Sequence, residues 1–565
     1  MKKLFTLILL LSLAHNAIAQ SWQWGKRGGS TQSAGGGPVD NVIDMATDQH
    51  NNVYVLSQVW TSPVNVDGHA VGSYGGQDVV LSSFKCDGTY RWSKAFGGYE
   101  NDEGRSLKVD TLGHVYTNLY SVSPPTSANT RVHIDVDSIL PVNDPKTMFL
   151  VVYDTAGNYI GLRAPQPDTI TVNSNNSWGI DVDVDNAGNV YWFCHLSPGL
   201  LGNGVAQVIT TDSFYILKYN STGVVVGIIP INIMGLGNQG KMTRDPLTGR
   251  FYFAGTLFGS PSFSIGGNPI THSMYIGAFS STGQFIWKKE NSNLNSILNG
   301  RVLVNGSNGH IYFTGNANTF VSPDTMLGYP FNGWGYAYVI EADSNGTGVW
   351  YKNSVVTKAT AGNALALRTN NEVVMVGSYA GKVVWPGFAD SLSLAPNTLA
   401  DIFITRFNAQ TGAVVGMDTL ASNFGYAELP SSIVADKGGN VYIGGYFPSA
   451  LYVANDTLIT AGGESDFFIA KYGSANCSTQ AVENPPLTST EIRVYPNPTN
   501  DVLHIDNLKE ISTYRVINII GTTVQQGVLQ QNSNSISTQM LSSGLYLLEL
   551  TNSKGEREVA RVVKE

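Results

Sequence analysis

Asp436-Lys437-Gly438-Gly439-Asn440-Val441-Tyr442-Ile443 decides the fold, because the chain repeats it. A polar turn runs into an apolar strand that carries a tyrosine. Equivalent stretches centre on Asn52-Val53-Tyr54, His114-Val115-Tyr116, Asn189-Val190-Tyr191, Arg250-Phe251-Tyr252, His310-Ile311-Tyr312 and Glu372-Val373-Val374. Successive copies lie 62, 75, 61, 60, 62 and 68 residues apart. The turns before them include Asp48-Gln49-His50-Asn51, Asp110-Thr111-Leu112-Gly113 and Asp185-Asn186-Ala187-Gly188. Asp, Asn and Gly belong there because tight hairpins need positive φ or a side chain that folds back on the backbone.

A second hairpin follows in every copy. It begins at Asp78-Val79-Val80-Leu81 and recurs at Phe149–Tyr153, Tyr215–Tyr219, Tyr275–Phe279, Tyr338–Ala342, Ile402–Phe407 and Phe467–Tyr472. Each repeat therefore predicts four short strands, and four-stranded units repeated radially make a β-propeller. The expectation is an all-β, seven-bladed propeller over residues 20–474. The seventh copy stops near Gly473, before its fourth strand. Ser21-Trp22-Gln23-Trp24-Gly25-Lys26-Arg27-Gly28-Gly29 matches Tyr90-Arg91-Trp92-Ser93-Lys94-Ala95-Phe96-Gly97-Gly98 in pattern. The N-terminal strand is thus expected to complete blade seven and remove the free edges that invite aggregation. The repeat also resembles bacterial propeller repeats in which an N-V-Y strand precedes a D-x-F-x-A-K-Y strand.

The chain begins with an address. Lys2 and Lys3 precede an apolar run, Leu4 to Leu13, and Ala17-Ile18-Ala19 is an A-x-A cleavage site. Residues 1–19 read as a signal peptide, too short to anchor in a bilayer, and the mature chain is expected to start at Gln20. No later apolar run has membrane length, so no transmembrane segment is expected. Cleavage takes the basic residues from 33 to 31 against 42 acidic ones, a formal charge of about −11. No basic stripe offers a nucleic-acid footprint. With 61 glycines and 13% charged residues the composition suits a secreted β protein. Cys86, Cys194 and Cys477 are odd in number and far apart. They point to buried or idle thiols, not to a disulfide framework or a C-x-x-C metal pair.

Residues 475–490, with Pro485-Pro486, read as a stiff linker. Beyond it, residues 491–565 alternate again and suggest a small β-sandwich of about seven strands. They open with Val494-Tyr495-Pro496-Asn497-Pro498-Thr499 and close with Gly544-Leu545-Tyr546-Leu547-Leu548-Glu549-Leu550. This block resembles the type A C-terminal sorting domain of type IX secretion cargo. The resemblance implies recognition by the outer-membrane translocon. It also implies cleavage of the domain, replacement by a lipopolysaccharide anchor, and a final place at the cell surface.

Chemistry is harder to find. The chain has no H-E-x-x-H, G-x-S-x-G or phosphate-cradling glycine loop. His50, His114 and His310 sit at repeat turns, and His195 adjoins Cys194 on one strand, where the two side chains face opposite ways. Asp181-Val182-Asp183-Val184-Asp185 has the spacing of a calcium loop, but no bidentate Glu follows at the EF-hand position. It is read either as a calcium site at Asp181, Asp183 and Asp185 or as a strand ending in a turn at Asp185. No other cofactor is expected.

Aligned on the repeat tyrosine, Asp40, Asp102 and Glu428 each stand fourteen residues before it, where the innermost strand begins. Three carboxylates at the channel rim either converge on a cation or cationic ligand, or each cap their own blade junction through backbone amides. The connections on that face carry Trp60, Phe258, Phe320, Trp385 and Phe447, aromatics suited either to sugar or peptide binding or to packing between blades. Asp137-Ser138-Ile139, Asp324-Thr325-Met326, Asp390-Ser391-Leu392 and Asp456-Thr457-Leu458 resemble an O-glycosylation pattern and equally fit a turn at a strand start. The expected function is a non-enzymatic surface module for an extracellular glycan or protein, with Asp40, Asp102, Glu428, Trp60 and Trp385 as ligand-binding candidates. The alternatives are a propeller hydrolase or lyase using the rim carboxylates or a metal, and a structural surface-layer component.

Overall fold

The computed structural model describes most of residues 20–565. Residues 1–19, 32–39, 122–131, 140–146, 166–176, 202–207, 258–262, 319–323, 423–426, 478–492 and several shorter stretches lie outside the described residues. The expected signal peptide and the Pro485-Pro486 tether therefore fall outside them. Two compact units result, Met1–Thr479 and Gln480–Glu565.

The first repeat shows how sequence becomes sheet. Asn41–Thr47, Val53–Trp60, Gln77–Phe84 and Tyr90–Phe96 pair antiparallel in chain order. The first turn is locked by Asp48. Its Oδ1 accepts from the backbone N–H groups of His50 and Asn52, and its Oδ2 accepts from the Tyr54 hydroxyl at 2.9 Å. Asp110 with Tyr116, Asp185 with Tyr191 and Asp436 with Tyr442 repeat the device. The repeated Asp and Tyr are thus two halves of one buried turn clamp. In the fifth copy Tyr312 instead donates to Glu341, at 2.8 Å.

Four-stranded order recurs along the unit, and the inner strands follow one another. Asn41–Thr47 lies beside Asp102–Val109, which lies beside Trp178–Val184. Asn238–Arg244, Ile297–Val304, Thr360–Leu367 and Leu429–Ala435 continue the series, and Leu429–Ala435 packs against Asn41–Thr47. Four-stranded sheets around such a closed circuit are a β-propeller. The circuit is sealed by Ser21–Ser30, which pairs with Asp466–Gly473 from Ser21↔Gly473 to Gly28↔Phe467. The sequence match to Tyr90–Phe96 therefore reflects a shared place as a fourth strand.

Adjacent sheets are clasped through that strand. Trp24, Trp92, Trp287 and Trp350 each donate an indole N–H to a carbonyl in the next sheet's outer turn, those of Cys86, Thr155, Ser344 and Ala409. A glycine in the turn makes room. A Cβ at Gly88 would approach the Trp24 ring to 3.0 Å, and one at Gly412 would approach Trp350 to 2.6 Å. Both glycines also hold positive φ, 86° and 65°.

The sheets are richer than four strands per repeat. The connection after each second strand often folds into a small hairpin that reaches back to the preceding sheet. Val64–Val66 pairs with Ser21–Ser30, and Ala450–Val453 pairs with Val414–Ser422. Two sheets thereby become six-stranded. Asp67-Gly68 turns the first hairpin with both φ angles positive, the signature of a two-residue turn. These hairpins cover part of the exposed outer edge.

The cysteine expectation is corrected. Cys86 and Cys477 form a disulfide, with Cα atoms 5.5 Å apart across 391 residues of sequence. Ring closure explains it. Cys477 follows the strand that pairs with Ser21–Ser30, and Trp24 of that strand bonds to Cys86 O. Cys194 is free and buried, and burial raises its thiol well above the ordinary range.

In the second unit, Arg493–Tyr495, Val502–Asp506 and Ser535–Ser537 form one sheet. Thr523–Leu529, Ser512–Asn518, Gly544–Asn552 and Arg557–Lys564 form another. Ile505, Ile536, Val516, Leu548 and Val562 share one core cluster. The Pro-Asn-Pro stretch is tied to the last strand, where Val563 N donates to Asn497 Oδ1 at 2.8 Å.

Candidate functional site

The rim carboxylates do not converge on one point. Asp40 is buried and accepts from Ser30 N (2.6 Å) and Trp60 N (2.8 Å). Asp102 is buried and accepts from Gly98 N at 2.6 Å. Each faces a second acid from the neighbouring sheet. A Cβ at Gly29 would lie 2.7 Å from both Asp40 Oδ2 and Asp466 Oδ1. One at Gly97 would lie 1.9 Å from Asp78 Oδ1 and 3.1 Å from Asp102 Oδ2. The repeated Gly-Gly at the end of the fourth strand therefore leaves room for an acid pair. Glu428 is likewise buried, and the Asp401 charge acts on it.

Burial dominates their electrostatics. It pushes Asp40 and Asp102 up to about 6, Asp78 to about 7 and Glu428 to about 8. The Asp466 charge adds to the shift at Asp40, and the Asp102 charge adds to it at Asp78. Two close carboxyl groups without a cation hold a proton more readily than one alone. Asp466 is the exception in having a cation, since Arg27 Nη1 reaches its Oδ2 at 2.6 Å. Asp40 and Asp102 accept from backbone amides at their own blade junctions.

The calcium-like run also divides its labour. Asp181 Oδ1 accepts from Val182 N, and its Oδ2 accepts from Met242 N on the next inner strand at 3.0 Å. Asp44 does the same job between Met45 and Leu107. Asp183 lies 4.0 Å from Lys108 Nζ, and Asp185 holds its turn. Among the described residues no cluster of three or more His, Cys, Asp or Glu side chains is arranged to hold a metal ion.

The aromatic candidates separate. Trp60 is half-buried, and its indole nitrogen has no partner among the described residues. Trp385 is not on a binding face. It is fully buried, donates to Thr405 Oγ1 at 3.1 Å and meets Phe407 edge-on. Its hairpin connection folds over the sheet core, which takes the indole inside. Phe447 is also fully buried, while Phe258 and Phe320 lie outside the described residues.

The residues next to the rim acids are the ones left accessible. Side chains alternate along a strand, so a residue and its neighbour face opposite ways. Asp102 and Gly104 are buried, whereas Glu103 and Arg105 are half-buried. Glu103 and Arg105 pair, and the Arg105 guanidinium lies over the Tyr120 ring, 5.3 Å from its centroid. On the next inner strand Trp178 is half-buried and stacks on His195, centroids 4.2 Å apart. Lys241, from the inner strand after that, donates to Arg105 O at 2.9 Å. Tyr446 is half-buried on the strand beside Leu429–Ala435. Glu103 and Trp178 directly follow Asp102 and Ser177, the positions fourteen residues before the repeat tyrosines Tyr116 and Tyr191.

Comparison with known proteins bears mainly on the second unit. The family described as the Secretion system C-terminal sorting domain matches residues 493–565. No curated protein matches the chain. Among solved structures, the β-propeller domain of Myceliophteria thermophila Cps50 (Swd1) is 8% identical, with a TM-score of 0.38 over 80% of this chain and 99% of that one. A Dyadobacter fermentans protein of unknown function is 11% identical, with a TM-score of 0.35 over 79% and 98%. PorZ, a surface component of the type IX secretion system of Porphyromonas gingivalis, is 10% identical, with a TM-score of 0.14 over 95% and 100%. Likeness this distant transfers no function. No helix among the described residues is long and apolar enough to cross a membrane. The sorting tail marks the chain for type IX secretion and attachment at the cell surface.

Proposed function

We propose that the chain is a cell-surface binding protein, a seven-bladed propeller that presents its channel mouth to an extracellular glycan or protein. The carrying observation is the half-buried group of Glu103, Arg105, Tyr120, Trp178, His195 and Tyr446 around the inner strands. Flat aromatic rings beside charged and amide groups suit sugar rings and peptide side chains alike. A general acid and base must reach a substrate. Asp40, Asp102 and Glu428 are instead buried in separate junctions, which supports binding over hydrolysis.

The circuit of inner strands supports the seven-blade reading, and the two sheets of the tail are read as a sandwich that serves as the address. Signal peptide 1–19 would start export and the translocon would receive the tail. Ser391 and Thr457, exposed on connection hairpins, are the glycan acceptors most open to modification. The test is a glycan and protein array probed with the chain from Gln20, run beside a hydrolysis assay on the same glycans. Specific capture without turnover is the expected result; turnover would move the function to an enzyme.

A further inference from the structure

The disulfide that ties the ring has an unusual neighbour. Lys471 is 1% exposed, and its Nζ lies 3.0 Å from Cys86 Sγ and 3.3 Å from Cys477 Sγ. Among the described residues no carboxylate stands within ion-pair distance of it. Asp436 and Asp87 act on it only at longer range, and Asp436 is already held by Asn440 and Tyr442. A buried ammonium with only neutral sulfur for company is costly. Reducing the disulfide would give it an anion. Burial lowers the Lys471 pKa in the oxidised protein, which agrees with that cost.

The two sulfurs also differ in access. Cys86 is 4% exposed, whereas Cys477 is half-buried at the end of the ring unit. We propose that Cys86–Cys477 is a thiol–disulfide exchange site, at which a small extracellular thiol attacks Cys477 and the Cys86 thiolate leaves beside the Lys471 ammonium. In the first step the thiolate forms a mixed disulfide with Cys477 Sγ, and the bond electrons pass to Cys86 Sγ. A second thiol then attacks the mixed disulfide, releases Cys477 as thiolate and departs as the oxidised reagent. Two thiols are oxidised and one disulfide is reduced. A cation beside the leaving sulfur lowers the thiolate's pKa and speeds its departure. The covalent tie between the last ring strand and the first sheet is then released, while Ser21–Ser30 keeps its backbone pairing.

The experiment uses the full mature chain in glutathione buffers of stepped redox ratio, followed by alkylation and peptide mass mapping. The glutathione adduct should form on Cys477. Lys471→Met should need a reducing ratio about tenfold higher for half-reduction, about 30 mV for a two-electron couple. Lys471→Arg, which keeps the charge, should stay near wild type. An adduct on Cys86 in the wild-type chain, a measurement that needs no variant, would overturn the proposal. So would an unchanged midpoint in Lys471→Met.

Discussion

Asp436 and its counterparts show why the repeat was so legible. Asp436 accepts from the backbone N–H of Asn440, from the Asn440 side-chain amide and from the Tyr442 hydroxyl, so aspartate and tyrosine recur together in every copy that uses the clamp. Asp436→Ala would strand the buried Tyr442 hydroxyl and two amides. It should cost about 1–3 kcal/mol, measured by denaturant unfolding, whereas the same change at the half-buried Asp343 should cost less. The acid pairs were harder to read. Asp40, Asp102 and Glu428 were visible as a periodic set, but their partners Asp466, Asp78 and Asp401 come from other sheets, which only the folded ring brings alongside.

The acid pairs make stability depend on pH with a definite sign. Folding raises these carboxyl groups from an ordinary value near 4 to about 6, 7 and 8. The folded chain therefore holds more protons than the unfolded chain across that window. Their contribution to stability is full at acid pH and is lost as pH rises from about 4 to about 8. Thermal melting from pH 5 to pH 8.5 should show a fall in Tm for wild type that is shallower in Asp78→Asn. An identical slope in the two proteins would count against the pairing.

At the scale of elements, the N-terminal strand was legible because Trp24 and Gly28-Gly29 repeat the pattern of Trp92 and Gly97-Gly98. The strand does three jobs: it pairs with Asp466–Gly473, it sends Trp24 onto Gly88, and it receives the hairpin at Val64–Val66. Trp24→Ala should remove about 3–5 kcal/mol and expose the seam to limited proteolysis. Trp385 follows the first strand of a connection hairpin, and its ring meets Phe407 edge-on inside the core. Disulfide Cys86–Cys477 escaped sequence reading for a topological reason. Closure of the ring brings these two residues, 391 positions apart, into contact.

For the whole molecule, the two compact units imply separable roles. A chain ending at Thr479 should keep the ring, its disulfide and its cooperative melting, yet fail to reach the cell surface. Cell fractionation with a folding probe checks both halves of that expectation. The role proposed for the ring is to bind a ligand through its channel mouth. Its most direct test is ligand capture on a glycan and protein array by the mature chain and by a Tyr120→Ala, Trp178→Ala variant. The mature chain should capture a specific ligand, and the variant should lose at least tenfold in affinity while still melting cooperatively. Undiminished capture by the variant would contradict it.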